Sequence, residues 1–137
     1  MASMTSSASD TVRLLLERYT DGGVENLIEL LADDAVFIVP PEASMEPDTY
    51  TGHEGARRYF AAFDGAIDQV SFEIDEIEDV LPGVALVRLR MRGYGVVTRI
   101  PVEQATFMTF RVRDGLVHRI VAHGDLESAR REIEGES

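Results

Sequence analysis

Two of the three histidines in this chain stand five residues apart in the stretch "GLVHRIVAHGD", residues 115–125. An imidazole titrates near neutrality and can carry protons or ligate a metal, so such a pair invites a reading as acid/base or metal chemistry. The stretch is β-branched and reads as a strand, however, and alternate strand residues face opposite sides of a sheet. An odd separation therefore places His118 and His123 on opposite faces, and they do not make one site. His53 stands alone at the start of a helical segment, where it helps to hold the helix start. Three scattered histidines do not have metal-ligand spacing, so no metal site is expected. The chain has no cysteine, which excludes disulfides, thiolate metal sites and thiol nucleophiles. Asp33 and Asp34 form an adjacent carboxylate pair, and at a helix-to-strand junction such pairs serve as turn and cap residues.

The elements around these residues follow from periodicity. "SDTVRLLLERYT" places Val12, Leu15, Leu16 and Tyr19 at helical spacing, with Ser9 or Asp10 as N-cap. "DGG" ends that helix, and "VENLIELLADD" predicts a second with Val24, Leu27, Ile28 and Leu31 on one side. "AVFIVPP" reads as a short strand stopped by proline. "PEASMEPDTY" has no apolar period and reads as a loop or lid, where Glu42, Glu46 and Asp48 could meet a ligand. "TGHEGARRYFAAF" predicts a third helix, with Thr51 and Glu54 in capping-box spacing and Ala56, Tyr59, Phe60 and Phe63 apolar. From Gln69 the period changes to two, which predicts four strands in an antiparallel meander. "DLESARREIEGES" reads as a short last helix or a frayed tail, with Asp125 as its N-cap. Helices followed by a meander define an α+β domain over residues 9–127, with a disordered stretch at 1–8 and a helix or tail at 128–137.

In the second meander strand Ala85, Val87, Leu89 and Met91 alternate with Arg88, Arg90 and Arg92, while Glu73, Asp75 and Glu78 lie in the strand before. A cross-strand charge ladder is the expected role of that row, with an anion-binding stripe as the alternative.

The formal net charge of −12 opposes binding to nucleic acid and to anionic membranes. No apolar run approaches the ~20 residues needed to cross a bilayer, and the chain reads as cytoplasmic.

At "LLERYT", "LLADDAVFIVPP", "TGHEGARRYFAAF" and "DGLVHRIVAHGD" the chain resembles the nuclear transport factor 2-like superfamily, specifically its SnoaL-like branch. The resemblance runs from about Val12 to Asp125 and is carried by the order and spacing of these pieces together. It implies a cone, in which a curved antiparallel sheet wraps around three N-terminal helices (the cystatin-like, nuclear transport factor 2-like fold) and encloses an apolar cavity, in a homodimer. The superfamily includes steroid isomerases, epoxide hydrolases and polyketide cyclases, along with members without known reaction, so the fold does not decide the function.

The resemblance also assigns site residues. Tyr19 falls where steroid isomerases hold an oxyanion-hole tyrosine, a phenol aimed at a developing enolate oxygen. As a core residue, it would instead bond Tyr59 or a water. The isomerases' two catalytic aspartates are replaced by Val39 and Met108, and the hydrolases' last-strand aspartate by Ala122. The same alignment turns Leu116, His118, Ile120 and Ala122 inward and His123 outward, toward the surface or a subunit contact. His118 is then the one imidazole expected in the cavity, either as a general acid or base or as a packed residue.

The implied cavity is lined by Leu15, Tyr19, Val39, Tyr59, Phe63, Leu89, Met91, Met108, Phe110, Ile120 and Ala122, with His118, Gln104 and Thr106 as polar points. Such a lining suits a small hydrophobic molecule with one or two oxygen functions, and requires no cofactor. Two functional classes follow. One is a cofactor-independent isomerase, cyclase, lyase or hydrolase acting through Tyr19 and His118. The other is a non-catalytic ligand-binding or protein-interaction module that has lost the catalytic carboxylates.

Overall fold

The computed structural model describes residues 7–39 and 48–135, without the side chains of Asp48, Ala62–Asp64, Ala66 and Gly135. Helix α1 (Ala8–Gly22) opens on Ser7, whose hydroxyl accepts from the Asp10 amide while the Asp10 carboxylate accepts from the Ser7 amide. This capping box lies two residues before the earlier of the two expected caps, because Ser9 is engaged elsewhere: its amide and hydroxyl both donate to Asp79, at 3.0 and 2.6 Å. Ala8 is buried, so the domain begins within the stretch expected to be disordered; residues 1–6 lie outside the described residues.

Helix α2 (Val24–Leu27) is a single turn followed by a 3-10 turn (Ile28–Leu30). Leu31, expected on that helix, instead starts strand β1 (Leu31–Val39). The pairing of β1 is irregular between Leu31 and Val36. At this irregularity Asp33 and Asp34 are both exposed between buried Ala32 and Ala35, so the carboxylate pair lies in a distorted strand start and not in a helix-to-strand turn.

Strand β2 (Asp48–Thr51) is formed by three residues expected to be loop and by Thr51, expected as the cap of the third helix. It pairs antiparallel with β1, Phe37 opposite Tyr50, and its four residues obtain their order from that neighbour. Helix α3 (Gly52–Ala66) follows. The four meander strands appear as expected: β3 (Ile67–Leu81), β4 (Val84–Gly95), β5 (Pro101–Arg113) and β6 (Leu116–His123). The first begins two residues before Gln69. Helix α4 (Leu126–Gly135) closes the chain.

The chain forms an α+β cone, in which a six-stranded curled sheet stays open in the order β2-β1-β6-β5-β4-β3. One pairing corrects the all-antiparallel expectation: β1 runs parallel to β6, with Phe37 opposite Ile120. The core fills the concave side, where Val12, Leu15 and Tyr19 of α1 and Ala56 and Phe60 of α3 meet Phe37, Val87, Leu89, Phe110 and Ile120 of the sheet.

The other side is covered in part. Ala129 and Ile133 of α4, one helical turn apart, pack with Val84 and Leu86 on the outer face of β4. Farther along that face lies the charge ladder. Arg90 donates to Asp75 at 2.8 Å and to Glu103 at 3.1 Å, and Arg92 Nε donates to Glu103 at 3.0 Å. The ladder thus recruits an acid from β5, Glu103, that the sequence reading did not include. Arg88 instead lies over the ring of Phe107, at 5.9 Å.

Candidate functional site

Helical spacing on α1 sends Val12, Leu15 and Tyr19 to one side, and Tyr19 reaches the concave side from the helix's last turns. Its ring meets Phe60 of α3 at 4.9 Å and Phe72 of β3 at 5.5 Å. Phe60 also meets Tyr59 at 5.2 Å and Phe37 at 6.4 Å, both edge-on. Tyr59 in turn packs on Phe37 at 5.2 Å and on Tyr50 at 5.6 Å. Six rings from five elements therefore form one connected aromatic cluster around Phe60, and two of the rings at its centre carry hydroxyls.

Burial pushes the Tyr59 phenol far above its usual range, and the neighbouring Tyr50 adds to the shift. Tyr59 is therefore protonated at any ordinary pH and can donate its hydrogen to an acceptor.

The sheet supplies the remaining wall. Met91 pairs with Gln104, Leu89 with Thr106, Met108 with Ala122 and Phe110 with Ile120, so these residues share the inner face in register. Leu15, Leu89, Met91, Met108, Phe110, Ile120 and Ala122 are buried there. Thr106 is half-buried and Gln104 exposed, which makes the Gln104 end the polar rim. Val39 is half-buried at the end of β1. The Phe63 side chain, and with it that part of the expected lining, lies outside the described residues, as do Glu42 and Glu46.

Four rings of the cluster were not among the expected site residues: Phe37, Tyr50, Phe60 and Phe72. Parity carried a signal for two of them, since Phe37 is two residues from Val39, and Phe72 two from Ile74, in alternating runs.

His118 does not share the inner face by simple alternation. Arg111 pairs with Arg119 but Val112 pairs with Val117, so an extra residue, His118, is inserted in β6. The bulge turns Val117 into the core at 0% exposure and leaves His118 half-buried. The Arg113 guanidinium donates to His118 Nδ1 over 3.5 Å, in exposed surroundings. The described contacts thus place Tyr19 in the aromatic cluster and His118 at the start of β6 beside Arg113.

His123 faces outward as expected, but it is buried under α4 at 4% exposure. Its Nε2 lies 3.4 Å from Thr109 Oγ1 and 3.8 Å from Glu132 Oε1. The Glu132 carboxylate also accepts from Thr109 at 2.6 Å and from Arg111 at 3.3 Å, and it lies 3.7 Å from Arg119. Burial pushes the Glu132 carboxyl up, but His123, Thr109 and Arg111 outweigh it and hold the group at about 2. His53 is structural in its contacts: Nε2 donates to the Leu31 carbonyl at 3.0 Å and lies 3.8 Å from Asp33, tying α3 to the start of β1. Among the described residues no group of three or more histidine, aspartate or glutamate side chains could hold a metal ion. No helix among them is long and apolar enough to cross a membrane.

The cone, with α1 and α3 on its concave side, is the architecture of a SnoaL-like protein. The chain belongs to the SnoaL-like domain family, whose profile it matches over residues 12–131. Solved structures agree on the fold. A hypothetical protein of ketosteroid isomerase-like fold from Catenulispora acidiphila, in complex with trimethylamine, is 18% identical, with a TM-score of 0.73 over 87% of this chain and 88% of that one. A candidate SnoaL-like polyketide cyclase from Jannaschia is 16% identical, with a TM-score of 0.74 over 96% and 94%. SalBIII, an epoxide hydrolase/cyclase-like enzyme of pyran ring formation in the polyether salinomycin, is 15% identical, with a TM-score of 0.72 over 88% and 92%. Comparison with curated protein sequences finds no match.

Proposed function

We propose that this protein binds a small, largely apolar molecule with one or two oxygen functions against the aromatic cluster, and that Tyr19 and Tyr59 act there as neutral hydrogen-bond donors. One observation carries this reading: two of the cluster's three phenol-bearing rings, those of Tyr19 and Tyr59, pack on the same Phe60, at 4.9 and 5.2 Å. A protonated phenol in apolar surroundings stabilises a carbonyl or enol oxygen on which negative charge develops, and it does not abstract a proton. Isomerisation and cyclisation through an enol-like state are the reactions such donors assist. The cyclase and pyran-ring chemistry named for two structural relatives supports that choice of substrate class.

A non-catalytic binder is the second reading, favoured by the residues at the positions of the family's acids. Val39, Met108 and Ala122 supply no base, and His118 makes its described contact with Arg113 at the bulge. The homodimer implied by the resemblance and the cytoplasmic placement read from the sequence stay part of the proposal, and sedimentation equilibrium checks the first.

The test is an NMR titration with a panel of aromatic polyketide, steroid and terpenoid ketones, with product analysis of each mixture. Binding is expected to shift the amides of Leu15–Thr20 and of Tyr59 and Phe60, and Tyr19→Phe should weaken it about tenfold, the cost of one hydrogen bond to a buried acceptor. Turnover lost in Tyr19→Phe selects the enzyme; binding without turnover selects the binder. Shifts confined to other parts of the chain, or none from any ketone, defeat the proposal.

A further inference from the structure

A second concavity lies away from the aromatic cluster, where β3, β4 and β5 meet at the β4–β5 hairpin. It is a cleft of about 440 Å³ whose walls include Gln69, Ser71, Arg92, Tyr94, Pro101 and Glu103. Its shape follows from local constraints. Gly93 lets β3 approach β4 closely: a Cβ there would lie 2.3 Å from Ile67 Cγ2 and 2.9 Å from the Asp68 carbonyl oxygen. Beside it the β3–β4 pairing is interrupted between Asp68 and Ser71, and Gln69 takes a left-handed backbone, φ 56°. Arg99 donates to Asp68 at 2.8 Å, which straps the hairpin to the start of β3. The Gly95 amide donates to the Ile100 carbonyl, and the Arg99 amide to the Gly95 carbonyl. These contacts shape the walls of the cleft.

The chemistry of the walls is mixed. Tyr94 is 40% exposed and pairs across the strands with Pro101, giving a half-open apolar platform. Glu103 Oε2 accepts from both Arg90 and Arg92, while no hydrogen bond is described for Oε1. Those two arginines hold the Glu103 carboxyl below its usual range, so it is an acceptor at neutral pH. Because Glu103 and Arg92 offset each other, the cleft has no net charge to select an anion or a cation. The Gln69 amide and the Ser71 hydroxyl each both donate and accept.

A neutral ligand with an apolar face and a rim of hydroxyls satisfies all of these groups at once. We propose that the cleft is a binding site for a hexopyranose, free or as the glycosyl part of a larger molecule, its C–H face on Tyr94 and Pro101 and its hydroxyls on Gln69, Ser71 and Glu103. The site is independent of the ketone reading above, since none of the six clustered rings lines it.

The test is an amide NMR titration with the methyl glycosides of glucose, galactose and mannose. Potassium phosphate and tetramethylammonium chloride serve as charged probes. At least one glycoside is expected to shift Ser71, Tyr94, Val102 and Glu103 with millimolar affinity, and Tyr94→Ala to weaken it about tenfold. Glu103→Gln should weaken it as well. If that variant unfolds because Arg90 and Arg92 lose their shared acceptor, Tyr94→Ala, which removes an exposed ring, still decides the matter. No shift from any glycoside, equal binding by Tyr94→Ala, or a stronger response to phosphate or tetramethylammonium would overturn the proposal.

Discussion

Thr109 of β5 donates its hydroxyl hydrogen to Glu132 of α4 across 2.6 Å, and this contact lies at the centre of a group that holds the last helix on the sheet. Glu132, 13% exposed, is at once the acceptor for Thr109 and the counter-charge for Arg111 and Arg119. Removing it takes the shared carboxylate from Arg111 and His123, on the side of α4 where Ala129 and Ile133 are buried. Glu132→Ala should therefore cost roughly 2–4 kcal/mol, read as a lower urea midpoint with an unchanged slope. A cost under about 0.5 kcal/mol would mean that α4 is held by Ala129 and Ile133 alone.

The same carboxylate sets a pH dependence. Its value in the folded chain, about 2, is below the ordinary 4.5, so the unfolded chain binds the proton more readily. The stabilisation is complete above about pH 5 and is lost as the pH falls from 4.5 toward 2. Urea melts of the wild type and Glu132→Gln should differ at pH 7 and converge at about pH 2. A constant difference across that range would contradict the assignment.

Gly93→Ala brings a Cβ to 2.9 Å from a backbone oxygen, which cannot turn aside as a side chain can. The substitution should destabilise by about 1–3 kcal/mol, measured by thermal melting. It should also broaden the amide signals of Ile67–Ser71. A neutral effect would show that the β3 bulge is pliable.

His118→Gln should change stability by less than about 0.5 kcal/mol, since the ring is half-buried and its described contact is a long one from Arg113. A loss of several kcal/mol in urea melts would place the ring in a packed, hydrogen-bonded environment instead.

How much of this was legible in the sequence depended on whether a residue's environment was set by its own run or by a distant strand. The meander was legible because Val87, Leu89 and Met91 alternate with arginines along one uninterrupted strand. The inner register of Gln104, Thr106, Met108 and Phe110 followed from the same counting. Strand β2 was not legible, since "DTYT" is short and polar and becomes a strand through hydrogen bonds from β1. Leu31 continues the helical spacing of Leu27 and Ile28, and it was drawn into β1 by pairing opposite Val117, far along the chain. The bulge at His118 was not legible for a related reason: one inserted residue breaks the parity count, and nothing in "LVHRI" marks the insertion. Within the aromatic cluster, Tyr19 and Tyr59 were legible from helix spacing. Tyr50 was not, because its place depends on β2.

The parallel pairing of β1 with β6 also has a kinetic meaning. Leu31–Val39 cannot complete its ladder until Leu116–His123 exists, so the two pieces that must meet are separated by almost the whole domain. On a ribosome, β1 would emerge with one open edge and wait for β3, β4 and β5 to be made before its permanent neighbour appears. The hairpins of the meander can form early and locally, whereas the seam joining the first strand to the last must close late, across a large loop. Folding of this domain is thus expected to finish only once β6 has been made, with the β1–β6 seam as its slow step.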